Sequence, residues 1–240
     1  MTGVQTCALP ISLGEWAYGA GRDESNLIYI KVGSGIGAGI IAGHQILLGA
    51  TGSAGEIGHL TIDKNGPLCT CGSRGCLEAY ASGRAIKAQA QNLARSGKKT
   101  LLAGTDIEKI DVRELAEAAR KGDIESQEIL EQAGSVIGIA IAGMINMLNP
   151  GVVVIGGGVA EVGDLLTTPI RKIVKERSLP ASEHTVKITT AMLGRRSTLI
   201  GALIQAISFA VHSIVDGKTP LSRSVFSTSI QLPERIPVRR

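Results

Sequence analysis

Val152-Val-Val-Ile155 is apolar at four successive positions, and such a strand persists only where both faces of its sheet are covered. The residues before it carry a helical repeat: Ile129, Ala133, Val136, Ile137, Ala140, Ile141, Met144, Ile145 and Leu148 recur at three and four positions. Asn149-Pro150-Gly151 stops the run. The second half of this helix is apolar almost all round, so it is expected at the centre of a domain. Gly156-Gly-Gly158 then leaves the strand's carboxyl end without side chains, at the place where α/β sheets bind nucleotides; a tight strand–helix turn is the plainer alternative. These neighbours predict a layered α/β protein.

The remaining pattern agrees with that class. Leu27–Val32 is β-branched and apolar, and runs into Gly33-Ser-Gly-Ile-Gly-Ala-Gly39. Short antiparallel strands are expected on either side of Gly43. Helices are expected ending at Ser96-Gly97, over the repeat Val112, Leu115, Ala116 and Ala119, and at 165–174 and 200–211, with a strand at 186–190. From His212 onward there is no periodicity, and residues 212–240 are expected to be poorly ordered. Aromatic residues are only 2%, so Ile, Val, Leu and Ala must build the core around 31 glycines. Lys+Arg 25 against Asp+Glu 21 is too balanced for an electrostatic nucleic-acid binder. The apolar stretch 133–145 falls short of a membrane span of about 20 residues, so no membrane is expected.

The strongest chemical signal is His59-x9-Cys69-x-Cys71-x4-Cys76. Four soft or borderline ligands in a loop bearing Gly66, Pro67, Gly72 and Gly75 can close a tetrahedron around Zn²⁺. A Cys₃His set leaves no open position, so the ion is expected to be structural. Met1-Thr-Gly-Val-Gln-Thr has neither the basic nor the apolar segment of a secretory signal. A reducing cytoplasmic compartment is therefore expected, where clustered thiols bind metal before they pair. The turn at Gly33 lacks the Lys-Ser/Thr of a P-loop and leads into strand, leaving a phosphate loop and an ordinary hairpin bend as alternatives. Glu56, His59 and Glu78 bracket the metal loop, where carboxylates suit sugar hydroxyls, although a lone glutamate is more often a solvated surface residue.

In order along the chain stand Leu13-Gly-Glu-Trp-Ala-Tyr-Gly-Ala-Gly-Arg22, the Gly33 turn, Ala54-Gly-Glu-Ile-Gly-His59, Cys69-Thr-Cys-Gly-Ser-Arg-Gly-Cys-Leu-Glu78 and Val152-Val-Val-Ile-Gly-Gly-Gly-Val159. Together they resemble the ROK family of bacterial sugar kinases and sugar-responsive repressors, and among these the glucokinases most. The resemblance implies an actin/hexokinase-like ATPase fold whose two lobes hold sugar and nucleotide in the cleft. It implies ATP phosphates at Gly33, Ser34 and Gly35, and the adenosine side at Gly156, Gly157 and Gly158. It also implies sugar contacts from Glu56, His59 and Glu78, zinc on His59, Cys69, Cys71 and Cys76, Mg²⁺ with the nucleotide, and a homodimer.

The chain departs from the family pattern at its start. No Asp-x-Gly-Gly-Thr lobe precedes the match, and Thr6 and Cys7 stand where the family carries Asn and its catalytic Asp. The expected organisation is thus a foreign leader at 1–12, a C-terminal lobe at 13–211 and a tail at 212–240. Phosphorylation of a hexose, glucose above all, is the activity implied for the parent, with little or none from this chain alone. A repressor of the same family, with nucleic acid as partner, is the alternative. A stand-alone zinc module for nucleic acid would need more aromatic and basic surface. Smaller departures are Ala38 for a usual Gly and Ser197-Thr198 for a usual Ala-Gly pair.

Overall fold

The computed structural model describes residues 5–183 and 185–215. Helix α1 (Gln5–Tyr18) leads into strands β1 (Leu27–Val32), β2 (Ile36–Ala42) and β3 (Gln45–Ile46). A one-turn 3₁₀ helix, Ile57–His59, precedes the cysteine loop, after which come α2 (Leu77–Ala81), α3 (Gly83–Arg95), α4 (Val112–Arg120) and α5 (Ile124–Leu148). Strand β4 (Val152–Gly156), α6 (Asp164–Arg177), α7 (Pro180–Glu183), β5 (Lys187–Thr190) and α8 (Arg196–Val215) complete the described chain.

The strands form one mixed sheet in the order β3-β2-β1-β4-β5. β1 pairs antiparallel with β2 and parallel with β4, and β4 pairs parallel with β5. Burial explains the sequence of the central pair. Ile28, Ile30, Val32, Val153 and Ile155 enter one core with residues of α2–α6. Leu27, Tyr29, Val152 and Val154 enter a second with Leu13 and Trp16 of α1. Period-two alternation thus serves two apolar faces at once, and the strands read as hydrophobic runs broken only by Lys31 of β1 and Gly156 of β4.

Helix α5 starts five residues before the apolar repeat seen in the sequence. Asp123 caps it by accepting the Ser126 amide at 3.2 Å, and Asn149 ends it in the left-handed conformation at φ 44°. At 25 residues it is also long and apolar enough to cross a membrane by length and composition, beyond the 13-residue stretch considered above. It is instead packed on α6, with Gly134 against Pro169 and Gly138 against Ile173.

Helix α1 was not anticipated. It runs unbroken through the expected boundary at residue 12, with Ala8 and Ser12 fully buried. It lies on α8 so closely that a Cβ at Gly201 would fall 1.6 Å from the Pro10 carbonyl oxygen. Residues 212–215 of the expected tail belong to α8, which begins at Arg196, four residues before the apolar repeat. Residues 216–240 lie outside the described residues.

Candidate functional site

The cysteine loop folds back on itself through two isolated bridges, Thr61 with Cys76 and Leu68 with Arg74. This brings the ligand atoms of His59, Cys69, Cys71 and Cys76 within 4.8 Å of one another. Zn–S bonds near 2.3 Å and a Zn–N bond near 2.0–2.1 Å give tetrahedral edges of about 3.8 Å between sulfurs and about 3.6 Å between nitrogen and sulfur. The Cys71 and Cys76 Sγ atoms are 3.7 Å apart, and Cys69 Sγ lies 3.7 Å from His59 Nδ1. Two edges thus have the length a tetrahedral zinc site requires, and the cluster as a whole is compatible with a zinc ion. The other ring nitrogen, His59 Nε2, faces Glu56 Oε2 at 4.0 Å, beyond hydrogen-bond reach.

The thiols differ in acidity. The Ser73 backbone amide draws Cys71 down to about 6, whereas burial pushes Cys76 up to about 12. An exposed thiolate and a buried thiol thus share one cluster, and a metal would have to displace the second proton.

Glu78 lies beside this centre. Its Oε2 accepts the Ile36 amide at 2.9 Å and its Oε1 accepts Arg84 Nη2 at 2.9 Å, while the residue itself is buried. A Cβ on Gly58 would lie 3.4 Å from that Oε2, so the Glu78 carboxylate abuts the turn carrying Glu56 and His59. Glu78 is thereby also a folding residue, a role its position in sequence did not suggest.

The two glycine turns meet at a groove. An open cavity of about 350 Å³ is lined by Gly33, Ser34 and Gly158, by Gly83 and Lys87 of α3, and by Asp111 to Arg113 at the start of α4. Gly35, Gly156 and Gly157 do not line it. Gly35 accepts the Gly33 amide at 2.9 Å, closing the turn. Gly156 pairs with Lys31 in the sheet. Gly157 has φ 97°, and a Cβ there would fall 2.3 Å from the Val32 carbonyl oxygen, so only glycine fits where β4 leaves the sheet. Sequence reasoning missed the α3 and α4 contributors. A capping box of Asp111 and Glu114 starts α4, but nothing local ties that helix end to Gly33.

Glu15 is a second buried carboxylate that holds the fold. It is fully buried, and its carboxylate accepts the amides of Ala20, Met192 and Leu193 and the hydroxyl of Ser197. One of the departures from the family pattern, Ser197, is thus a donor that fastens α8 to α1.

Comparison with known proteins adds identity to this geometry. The profile of the ROK family matches residues 4–208. A xylose repressor from Caldicellulosiruptor bescii is 33% identical over 198 residues, 82% of this chain and 50% of the repressor. A glucokinase from Thermotoga maritima is 36% identical over 197 residues, 79% of this chain and 61% of that enzyme. The crystal structure of a ROK family glucokinase from Streptomyces griseus, in complex with glucose and AMPPNP, superposes with a TM-score of 0.73 at 33% identity. That match covers 81% of this chain and 64% of the glucokinase. The chain thus spans about half to three-fifths of the length of the curated relatives it matches.

Proposed function

Since the chain belongs to the ROK family, we propose that it is the sugar- and nucleotide-binding lobe of an ATP-dependent hexose kinase, with glucose as the sugar. The observation that carries this reading is the convergence of Gly33, Ser34 and Gly158, more than 120 residues apart in sequence, on one groove. In this reading ATP enters with Mg²⁺, its phosphates beside the turn 33–35 and its adenosine toward the turn 156–158. The hexose contacts Glu56, His59 and Glu78, whose carboxylates and imidazole offer acceptors and donors to its hydroxyls. A zinc ion on His59, Cys69, Cys71 and Cys76 holds the loop that carries them and supplies no chemistry to the reaction, since all four positions are filled by protein.

Phosphoryl transfer needs a carboxylate base on the sugar hydroxyl and a clamp on the transferred group. Thr6 and Cys7 stand where the resemblance puts Asn and the base. We therefore expect binding of glucose and ATP with little turnover from this chain. That same substitution favours the second reading, a sugar-sensing repressor, whose work ends at binding.

Titration of the chain with glucose, xylose and ATP in the presence of Mg²⁺ separates the two. Binding of both glucose and ATP supports the kinase-derived site. Binding of sugar with no ATP binding overturns it in favour of the repressor. Rapid glucose-dependent ADP release would show that the base lies elsewhere than at residue 7.

A further inference from the structure

The groove carries three ionic side chains, Lys87, Asp111 and Arg113, and two of them are already committed. The Asp111 carboxylate caps α4 by accepting the Arg113 amide at 2.6 Å. The Arg113 guanidinium stands 3.5 Å from Glu161. Lys87 is half-buried and has no hydrogen-bond or ion-pair partner among the described residues. Partial burial of an ammonium is unfavourable unless an anion approaches it, so an anion in the groove would gain more there than at a solvated surface.

Its position selects the anion. The Gly83 amide donates to the Gly33 carbonyl at 2.7 Å, pinning the start of α3 to the turn 33–35. Lys87 is one helical turn further along the same face, on the wall that also presents Gly33 and Ser34. Asp111 lines the same groove from the start of α4, and its carboxylate repels phosphate but tolerates hydroxyls and amines. The charges therefore orient a ligand with its anionic end toward Lys87 and Ser34 and its neutral end toward Asp111.

We propose that Lys87 binds the phosphate chain of the nucleotide seated in this groove. This rests on the nucleotide reading given above and adds to it a residue that acts on phosphate, not on base or ribose. The ammonium works as a point charge with three donors, which suits a chain of phosphates whose oxygens turn freely.

The test is a calorimetric series on the chain with adenosine, AMP, ADP, ATP and inorganic tripolyphosphate, for the unsubstituted protein, K87A, K87R and K172A. Lys172 is an exposed lysine on α6 and controls for net charge. The expected result is affinity that rises with phosphate number in the unsubstituted protein. K87A should lose that rise, binding ATP about 10- to 100-fold more weakly while adenosine changes by less than about twofold, the scale of one charge-assisted hydrogen bond. K87R should restore most of the loss, and K172A should match the unsubstituted protein. Thermal unfolding without ligand checks that K87A is folded. Equal weakening of adenosine and ATP by K87A, or no weakening of either, overturns the role of Lys87 and leaves the nucleotide reading standing. No binding of any nucleotide by the unsubstituted protein overturns both.

Discussion

Replacement of Glu15 by glutamine is expected to destabilise the protein by about 2–3 kcal/mol, and the figure follows from how its four donors are shared. Oε2 accepts the Ala20 amide at 3.0 Å and the Met192 amide at 3.1 Å. Oε1 accepts the Leu193 amide and the Ser197 hydroxyl, both at 2.8 Å. A glutamine has one acceptor oxygen, so one of these pairs must face an NH₂ group. The cheaper choice puts the NH₂ at the Oε1 side. Ser197 can then accept from it and donate only to the Gly194 carbonyl, 2.9 Å away. The Leu193 amide is still left facing a donor, and a buried donor without its partner costs about 1–3 kcal/mol. Loss of the charge weakens the remaining bonds as well. Glu15→Ala removes all four acceptances and should cost about 3–5 kcal/mol, and Ser197→Ala, with one bond lost, about 1 kcal/mol. Chemical denaturation monitored by circular dichroism reads these differences as shifts in midpoint at constant slope. Heating should show E15Q unfolding about 5–10 °C early for a domain of this size. If E15Q stays within about 0.5 kcal/mol of the unsubstituted protein, the range of an ordinary surface change, the carboxylate does not anchor α8 to α1 and the argument fails.

Purification in metal-free buffer should yield one zinc per chain by elemental analysis. Cys71→Ser should lower zinc affinity and early-unfold the loop, as structural zinc can supply roughly 10 kcal/mol or more; absence of stoichiometric zinc at pH 7.5 would refute the site. Zinc affinity should fall as the pH is lowered, more steeply below about 6, where Cys71 also takes up a proton; an affinity flat between pH 5 and pH 8 would contradict displacement of thiol protons. A second pH dependence belongs to Asp123. Burial opposes its charge but is outweighed by bonds from Thr100 Oγ1 at 2.5 Å, the Leu101 amide at 2.6 Å and the Ser126 amide, which hold the carboxyl below its usual range. Its folded value lies below its unfolded one, so its contribution is complete above about pH 4 and is lost as the pH falls through the folded value. Asp123→Asn should cost about 1–3 kcal/mol at pH 7 and remove that acid-limb dependence; an unchanged slope in the variant would assign the acid limb to other carboxylates.

The parts of the fold legible in sequence are those whose environment is uniform. Strand β4 is buried on both faces, so its first four positions, 152–155, all carry Val or Ile. The second half of α5 is enclosed and shows its repeat openly, whereas its first turns are polar and are marked only by the cap at Asp123. Helix α1 left no such trace. Pro10 interrupts its hydrogen bonding and Gly14 its propensity, and what holds it is tertiary: the close crossing at Gly201 and the bonds from Glu15 to residues some 180 positions away. A glutamate whose partners are distant backbone amides has no local signature. The grouping of His59, Cys69, Cys71 and Cys76 was legible because the four lie within eighteen residues of one another. The groove was legible only at its glycine turns, because Lys87 of α3 and Asp111 and Arg113 at the start of α4 are distant in sequence from Gly33 and Gly158.

The metal loop and the groove are joined through a short piece of chain. Cys76 is both a cluster member and the residue before α2. Two positions on, Glu78 accepts the Ile36 amide, and five beyond that Gly83 donates to the Gly33 carbonyl. Ile36 and Gly33 are the two ends of the turn 33–35, so the segment from Cys76 to Gly83 grips that turn at both sides. α2 has only five residues, too few to be helical by itself; its place depends on anchors at its ends. One is the Thr61–Cys76 bridge with the cysteine cluster, and the other is Ser82, whose hydroxyl accepts the Ala85 amide and starts α3. Holding the cysteine loop closed therefore fixes more than Glu56 and His59. It sets Glu78, through Glu78 the start of β2, and through Gly83 the wall of the groove from which Lys87 projects.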